Sequence, residues 1–212
     1  MTAEITAVNR MNTVKIILAS ASSARTKLLT EAKIPHEIEI SGIHEEAVEF
    51  ANLEPSAMVV ALSQAKANAI AESHLGENAL IIGADSTLEF EGRAMAKPES
   101  AEIAISWWQK YVGKSGLLHT GQTVIDVAAG KSKSALSTTE ITFAKISDDE
   151  IRSYIATEEP IFLAGGASLD GIGSPYISHI SGDATGVLGL SMNHLRMLCE
   201  ELGHPWHRLR AS

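Results

Sequence analysis

The sequence predicts an α/β fold built on a mixed, twisted sheet with flanking helices. Three observations carry this. Strand-like apolar runs alternate with helically spaced ones along the 212 residues. One run, 79–84, is apolar on both alternations and therefore suits a strand covered on both faces. Two hairpin patterns interrupt the strand–helix alternation, which a purely parallel sheet does not accommodate. Hydrophobic residues make up 45% and charged residues 20% of the chain, the proportions of an ordinary globular domain. No repeat or low-complexity stretch divides it. The organisation is read as a polar N-terminal extension (1–13), one domain (14–203) and a short polar, basic tail (204–212).

The elements follow in order. Residues 14–18, Val-Lys-Ile-Ile-Leu, form a first strand. A loop of small residues, 19–24, leads into a helix carrying Arg25, Leu28, Leu29 and Ala32 and ended by Ile34-Pro35. Backbone N–H groups converge where a helix begins, and small side chains let an anion approach them. Ser20 and Ser22 add hydroxyl donors, and Arg25 offers a forked cation. The same stretch also reads as an ordinary strand–turn–helix with a Ser cap. Residues 36–40 alternate as a second strand, and 42–46 form an acidic loop.

Pro55 and Ser56 open a long helix to about His74, with Ser56 as its cap. Its apolar stripe is Val59, Leu62, Ala69 and Ile70, and Lys66 lies on that stripe, four residues from both Leu62 and Ile70. A lysine so placed either snorkels to the rim or points into a cleft. The central run 79–84 ends in Asp85, a carboxylate where α/β sheets gather ligands. Residues 87–95 turn back through Glu91-Gly92, and Pro98 holds Lys97 extended. A helix capped by Ser100 carries Ile103, Trp107 and Val112 on one face. Trp107 and Trp108 cannot both face the core. Residues 118–127 and 134–143 form a second hairpin. Ser147 and Glu150 make a capping box for a helix to about Ala156. A glycine-rich stretch, 163–174, contains Asp170, and a last helix, 191–202, stops at Gly203.

Composition limits the chemistry. A formal charge of −9 argues against a nucleic-acid polymer, which needs clustered Lys and Arg, but not against a mononucleotide. Cys199 is the only cysteine, so no intrachain disulfide forms, and its helical setting suits a buried, inert thiol. No signal-peptide core or membrane-length run is present. The expectation is a cytoplasmic protein that does not engage a membrane. The eight histidines show no metal-ligand spacing, and GxxxxGK[ST], GxGxxG and GxSxG are all absent. What is left is Arg25, Lys66 and Lys97 as cations, with Glu45, Asp85 and Asp170 as carboxylates on loops and strand ends. Cations for a polyphosphate and a few carboxylates for a hard divalent metal are the two halves of a nucleotide-hydrolysing site.

Specific strings add to this. LASASSARTKLL, SGIHEE, ALSQAKANAIA, IIGADSTLEFEGRAMAKP, HTGQTVI, EITFAKISDDEIRSYIATEEP, LAGGASLDGIG and ISGDATGVLGLSMNHLRML occur in that order from residue 18 to residue 198. In that order they resemble the Maf family of septum-formation-related nucleoside triphosphate pyrophosphatases. The resemblance implies a Maf/ITPase-like fold with a cleft between two lobes and a homodimer. It also implies hydrolysis of a nucleoside triphosphate to the monophosphate and pyrophosphate with Mg²⁺ or Mn²⁺. By position, Asp85 matches the family's general base and, with Glu45, the metal-holding carboxylates. Arg25, Lys66 and Lys97 match the cations that contact phosphate.

The chain departs from the family's pattern at three places. Where members often carry Pro and two or three basic residues, it has Ser23, Ala24, Arg25 and Thr26. Where thymidine- and uridine-selective members carry Gln, it has Asp170, which only accepts hydrogen bonds when ionised, so that selectivity does not carry over. Gly116 stands where His is usual. Two other readings remain open: a non-catalytic nucleotide-binding regulator of cell division, and a phosphomonoesterase that releases orthophosphate.

Overall fold

The computed structural model describes residues 14–45 and 47–211. The expected N-terminal extension lies outside the described residues, as does Glu46 of the acidic loop. Within them, seven strands form one mixed sheet in the order β2-β1-β3-β5-β6-β7, with β4 also paired to β3. They are β1 (Lys15–Leu18), β2 (Glu37–Ile38), β3 (Ala79–Phe90), β4 (Arg93–Met95), β5 (Ser115–Asp126), β6 (Lys131–Phe143) and β7 (Ile177–Ser181). Strand β1 pairs in parallel with β2 and β3, and every other pairing is antiparallel. The helices are α1 (Ser23–Glu31), α2 (Val48–Ala51), α3 (Pro55–Ala71), α4 (Ala101–Tyr111), α5 (Asp148–Ile155), α6 (Ala184–Val187), α7 (Met192–Glu201) and α8 (Trp206–Leu209). None of these helices is long and apolar enough to cross a membrane.

Strand β3 is the central element, and it runs on through Asp85 instead of stopping there. Ten consecutive pairs with β5, from Leu80 to Glu89, keep it extended. The opening expected at a strand end is instead on its other edge. There β1 covers residues 79–82 and β4 covers 88–90, and the small-residue loop after β1 enters the interval, its Ala19 N–H donating to Ile82 at 2.8 Å. Asp85 lies in that interval. Two glycines bring α3 down onto the same region. A Cβ on Gly83 would stand 2.1 Å from the Ser63 carbonyl oxygen, and one on Gly121 2.3 Å from that of Val59.

Local chemistry explains where the elements depart from expectation. Pro55, with no N–H to satisfy and its φ preset, takes the first helical position, so Glu54 and not Ser56 is the N-cap of α3. The buried stripe of α3 includes Val59, Leu62, Lys66, Ala67 and Ile70; Ala69 is only half-buried. Its last turn tightens into a 3₁₀ segment ending at His74. Strand β2 is shorter than 36–40 because both its side chains face solvent at the sheet edge. Ser100 does cap α4, accepting from Ile103 N–H. That helix buries Ala104, Trp108 and Tyr111 instead of the face through Ile103, Trp107 and Val112. Trp108 can be fully buried because its indole N–H donates to the Gly166 carbonyl at 2.8 Å. Its ring meets Phe143 and Tyr154 edge-on at 5.4 and 5.3 Å.

The capping box of α5 is present, Ser147 N–H donating to Glu150 Oε2 at 2.8 Å. Strand β7 and helices α2, α6 and α8 were not anticipated. Beyond Gly203 the chain continues onto the fold: Trp206 and Leu209 pack on the cluster of Leu18, Leu29, Leu195 and Leu198. Ala211 N–H donates to Lys33. Cys199 is buried in that cluster, and burial pushes its thiol pKa up to about 12, as an inert thiol requires.

Near the start of β3, His74 is buried between two carboxylates, Nδ1 3.0 Å from Glu77 and Nε2 3.0 Å from Glu39. The hydrogen bonds to Glu77 and then Glu39 raise its pKa above the ordinary 6.5. A raised folded-state value means the protonated form is bound more tightly in the fold. The stabilisation is complete below the unfolded-state pKa and is lost as pH rises through the folded one. The melting-temperature advantage of the wild type over His74→Gln therefore shrinks as pH rises from about 6 to about 9. Equal differences at both pH values would show that folding leaves the imidazole's pKa unshifted, and a growing difference would show that it is held neutral.

Candidate active site

The expected site residues converge on a cleft of about 530 Å³. Its lining includes Ser20, Ser22, Arg25, Glu45, Lys66, Asp85, Lys97 and Asp170. All eight come from six separate segments of the chain. Three form the floor: Arg25, Lys66 and Asp85 are each more than nine-tenths buried.

Arg25 is delivered by the first turn of α1, whose N-cap Ser22 accepts from Arg25 N–H. Its guanidinium is fixed by neutral oxygens on three sides. Nε donates to Gly189 O at 2.7 Å, Nη1 to Ser20 Oγ at 2.9 Å and Nη2 to Ser86 Oγ at 3.2 Å. Burial lowers its pKa, while Asp85 and Glu45 favour the charged form. A guanidinium remains charged under such conditions. The result is an immobilised cation that makes no direct ion pair with a carboxylate among the described residues.

Lys66 resolves the choice between rim and cleft in favour of the cleft. Its ammonium donates to Asp85 Oδ1 at 2.6 Å and to Glu45 Oε1 at 2.5 Å. Lys66 favours the ionised form of both carboxylates, but their surroundings shift their pKa values in opposite directions. Burial raises the pKa of Asp85, and Glu45 adds to this, against the pull of Lys66 and Arg25. Burial also opposes ionisation of Glu45, but there the hydrogen bond and charge of Lys66, then Lys97 and Arg25, prevail and hold it below its ordinary value. Two carboxylates whose environments push them apart are the pattern that separates proton-transfer roles.

Lys97 is exposed at the cleft edge and has no ion pair among the described residues. Asp170 lies on the glycine-rich wall, half-exposed. Its Oδ2 is 3.5 Å from Lys27 Nζ, and its Oδ1 accepts from Ser168 at 3.0 Å. Lys27 thus ties α1 to that wall. Among the described residues no three His, Cys, Asp or Glu gather as a metal cluster. Glu45 and Asp85 each commit one oxygen to Lys66. That two-carboxylate set fits a hard cation completed by water and phosphate oxygens, and does not fit zinc.

The sequence profile of the family described as Maf-like protein matches residues 15–202. The chain belongs to that family. Curated relatives named nucleoside triphosphate pyrophosphatase include one from Streptomyces coelicolor, 41% identical over 89% of this chain and 91% of that one. Another, from Salinispora tropica, is 40% identical over 90% and 85%. A third, from Prochlorococcus marinus, is 42% identical over 85% and 95%. A solved HAM1 protein from Coxiella burnetii aligns at a TM-score of 0.38 and 12% identity over 63% of this chain and 74% of that one. That likeness is too distant to bear on the site.

Sequence reasoning did not anticipate the holding groups of this Maf-like site. Gly189 and Ser86 grip Arg25 across 164 and 61 residues. Gly189 sits in a turn organised by Asp183, which caps α6 through the N–H groups of Thr185 and Gly186 and accepts from Ser191 Oγ. The glycine-aspartate pair before a short apolar run was the available signal, but its target is visible only in three dimensions.

Proposed function

We propose that this Maf-like protein is a nucleoside triphosphate pyrophosphatase, hydrolysing a nucleoside triphosphate to the monophosphate and pyrophosphate by attack of water on the α-phosphorus. One observation carries the reading. A single buried ammonium, that of Lys66, joins two carboxylates held in opposite protonation tendencies, beside a buried guanidinium fixed by neutral oxygens. Such a floor accepts a polyanion and offers a base at the same point. The curated relatives' names agree with it.

In this mechanism Asp85 takes the proton of the attacking water, since its raised pKa brings it nearer the working pH than an ordinary carboxylate. Lys66 holds Asp85 and Glu45 in register. Arg25 and Lys97 neutralise charge on the departing pyrophosphate, with hydroxyl donors from Ser20 and Ser22. A divalent cation, Mg²⁺ or Mn²⁺, would be held by the remaining oxygens of Glu45 and Asp85 and would supply Lewis-acid activation. Asp170 pairs loosely with Lys27 at 3.5 Å on the cleft's outer wall. The reading extends to residues 14–203 acting as one domain, to a homodimer, and to a cytoplasmic setting that suits the single buried cysteine.

The test is a panel of standard and modified nucleoside triphosphates with Mg²⁺ or Mn²⁺, with pyrophosphate and orthophosphate scored separately. Pyrophosphate alone is expected, with turnover abolished by chelator and restored by adding metal. Orthophosphate as the first product would make the protein a phosphomonoesterase. Nucleotide binding without turnover would make it a regulator.

A further inference from the structure

The cleft changes character from floor to mouth, and that gradient has a chemical meaning. Its floor carries deep charges, Arg25 at 8%, Lys66 at 6% and Asp85 at 7% exposure, while Lys97 is exposed at its edge. Two large apolar groups are at the opening: Phe162 is 69% exposed and Ile40 72%, and both line the same cleft. Single exposed apolar groups carry little meaning, but exposed apolar groups that border one ligand-sized cleft mark a surface for ligand contact. The two come from separate segments of the chain. Ile40 follows β2 and leads into the loop bearing Glu45, while Phe162 ends the 3₁₀ segment Glu159–Phe162 before the glycine-rich wall. That wall is fastened next to Lys97 by the bond from Gly165 N–H to Ala96 O at 2.9 Å. Phe162 and Lys97 thus line the same cleft from neighbouring segments of chain, Phe162 with its ring open to solvent.

The geometry points to Phe162 as the platform for the nucleobase of the substrate, with Ile40 a second apolar group at the mouth; this rests on the nucleotide reading above. A nucleotide is itself graded, with charge at the polyphosphate end and a flat π-face at the other. Only one orientation puts its charge on the buried cations and its ring against the exposed apolar rim. A cleft of about 530 Å³ is of the size that holds such ligands. Stacking tolerates any base because every base has a π-face. Recognition by Phe162 therefore depends on ring area, and purine triphosphates bind more tightly than pyrimidine ones.

The test compares wild type, Phe162→Ala and Phe162→Trp by calorimetric titration and steady-state kinetics, using a purine triphosphate, a pyrimidine triphosphate and inorganic tripolyphosphate. Loss of one stack raises Kd and KM for the purine nucleotide about tenfold. In Phe162→Ala, kcat and the tripolyphosphate affinity stay at wild-type values, and the purine preference disappears. Phe162→Trp restores both affinity and preference. The side chain is exposed, so the fold does not depend on it, and equal melting temperatures check this. Unchanged nucleotide affinity in Phe162→Ala overturns the platform, as does an equal loss for tripolyphosphate. Wild type that binds nucleotide but releases no pyrophosphate overturns the hydrolase reading alone, and affinity still tests the platform.

Discussion

Asp85→Asn lowers kcat by roughly 10²–10⁴-fold, the usual cost of removing a general base, while leaving the protein folded. Asparagine keeps the shape and an oxygen able to accept from Lys66, but it cannot take a proton from water. The stability outcome separates this from misfolding. Burial raises the pKa of Asp85, so its ionised form is disfavoured in the folded state, and at neutral pH it destabilises the fold. Neutralising the group leaves the melting temperature unchanged or higher. Lys66 keeps its 2.5 Å partner Glu45, so no buried charge is stranded. The wild-type rate should also fall as pH drops through the raised pKa of Asp85, and the residual rate of the variant should not show that limb. Near-full turnover in Asp85→Asn with metal present would show that another group takes the proton. A large fall in melting temperature would show that its role is structural.

How much of this could be read beforehand depended on the range of the interaction involved. Strand β1, the helices capped by Ser100 and Ser147 and both hairpins are local, set by alternation, caps and glycine turns, and they were legible. The cap expected at Ser56 was not, because Pro55 takes the first helical position. Asp85 and Lys66 were also legible as site candidates, because a charge next to a buried strand or on an apolar stripe conflicts with its surroundings in the sequence itself. Glu45 and Lys97, which line the same cleft, were read from an acidic loop, a following proline and the family resemblance. What Lys66 does with its charge was not. The spacing allowed the rim or the cleft, and the choice is made by Gly83 and Gly121, which lower α3 onto β3. The face of α4 was misread because the burial of Trp108 depends on a carbonyl 58 residues away. Strand β7 escaped notice because its side chains are mostly exposed; it exists by pairing with β6, not by its own pattern. The grip on Arg25 by Gly189 and Ser86 belongs to the same class, in which backbone oxygens and small hydroxyls carry no residue-type signature.

Gly121→Ala is the second large effect, and it acts on stability first. Strand position 121 pairs with Asp85 and lies directly beneath α3. A Cβ there would stand 2.3 Å from Val59 O, 2.4 Å from Val59 C and 2.5 Å from Val60 N. All three are helix backbone, so no rotamer change relieves the contact, and either α3 lifts or β5 bends. Overpacking a core commonly costs about 1–3 kcal/mol and more where the backbone must move. The upper end is expected here, about 3 kcal/mol or more, or a fall of roughly 6–12 °C for a chain of this size. Lifting α3 also draws Lys66 away from Asp85, so kcat falls together with stability. Gly116→Ala on the same strand is the control. Its Cβ would meet Glu89 O and the flexible end of Leu88, each at 3.0 Å, and the penalty should be smaller. If Gly121→Ala melts within a degree or two of wild type and keeps its rate, then α3 does not need that close approach, and the placement of Lys66 must come from its contacts with Asp85 and Glu45 alone.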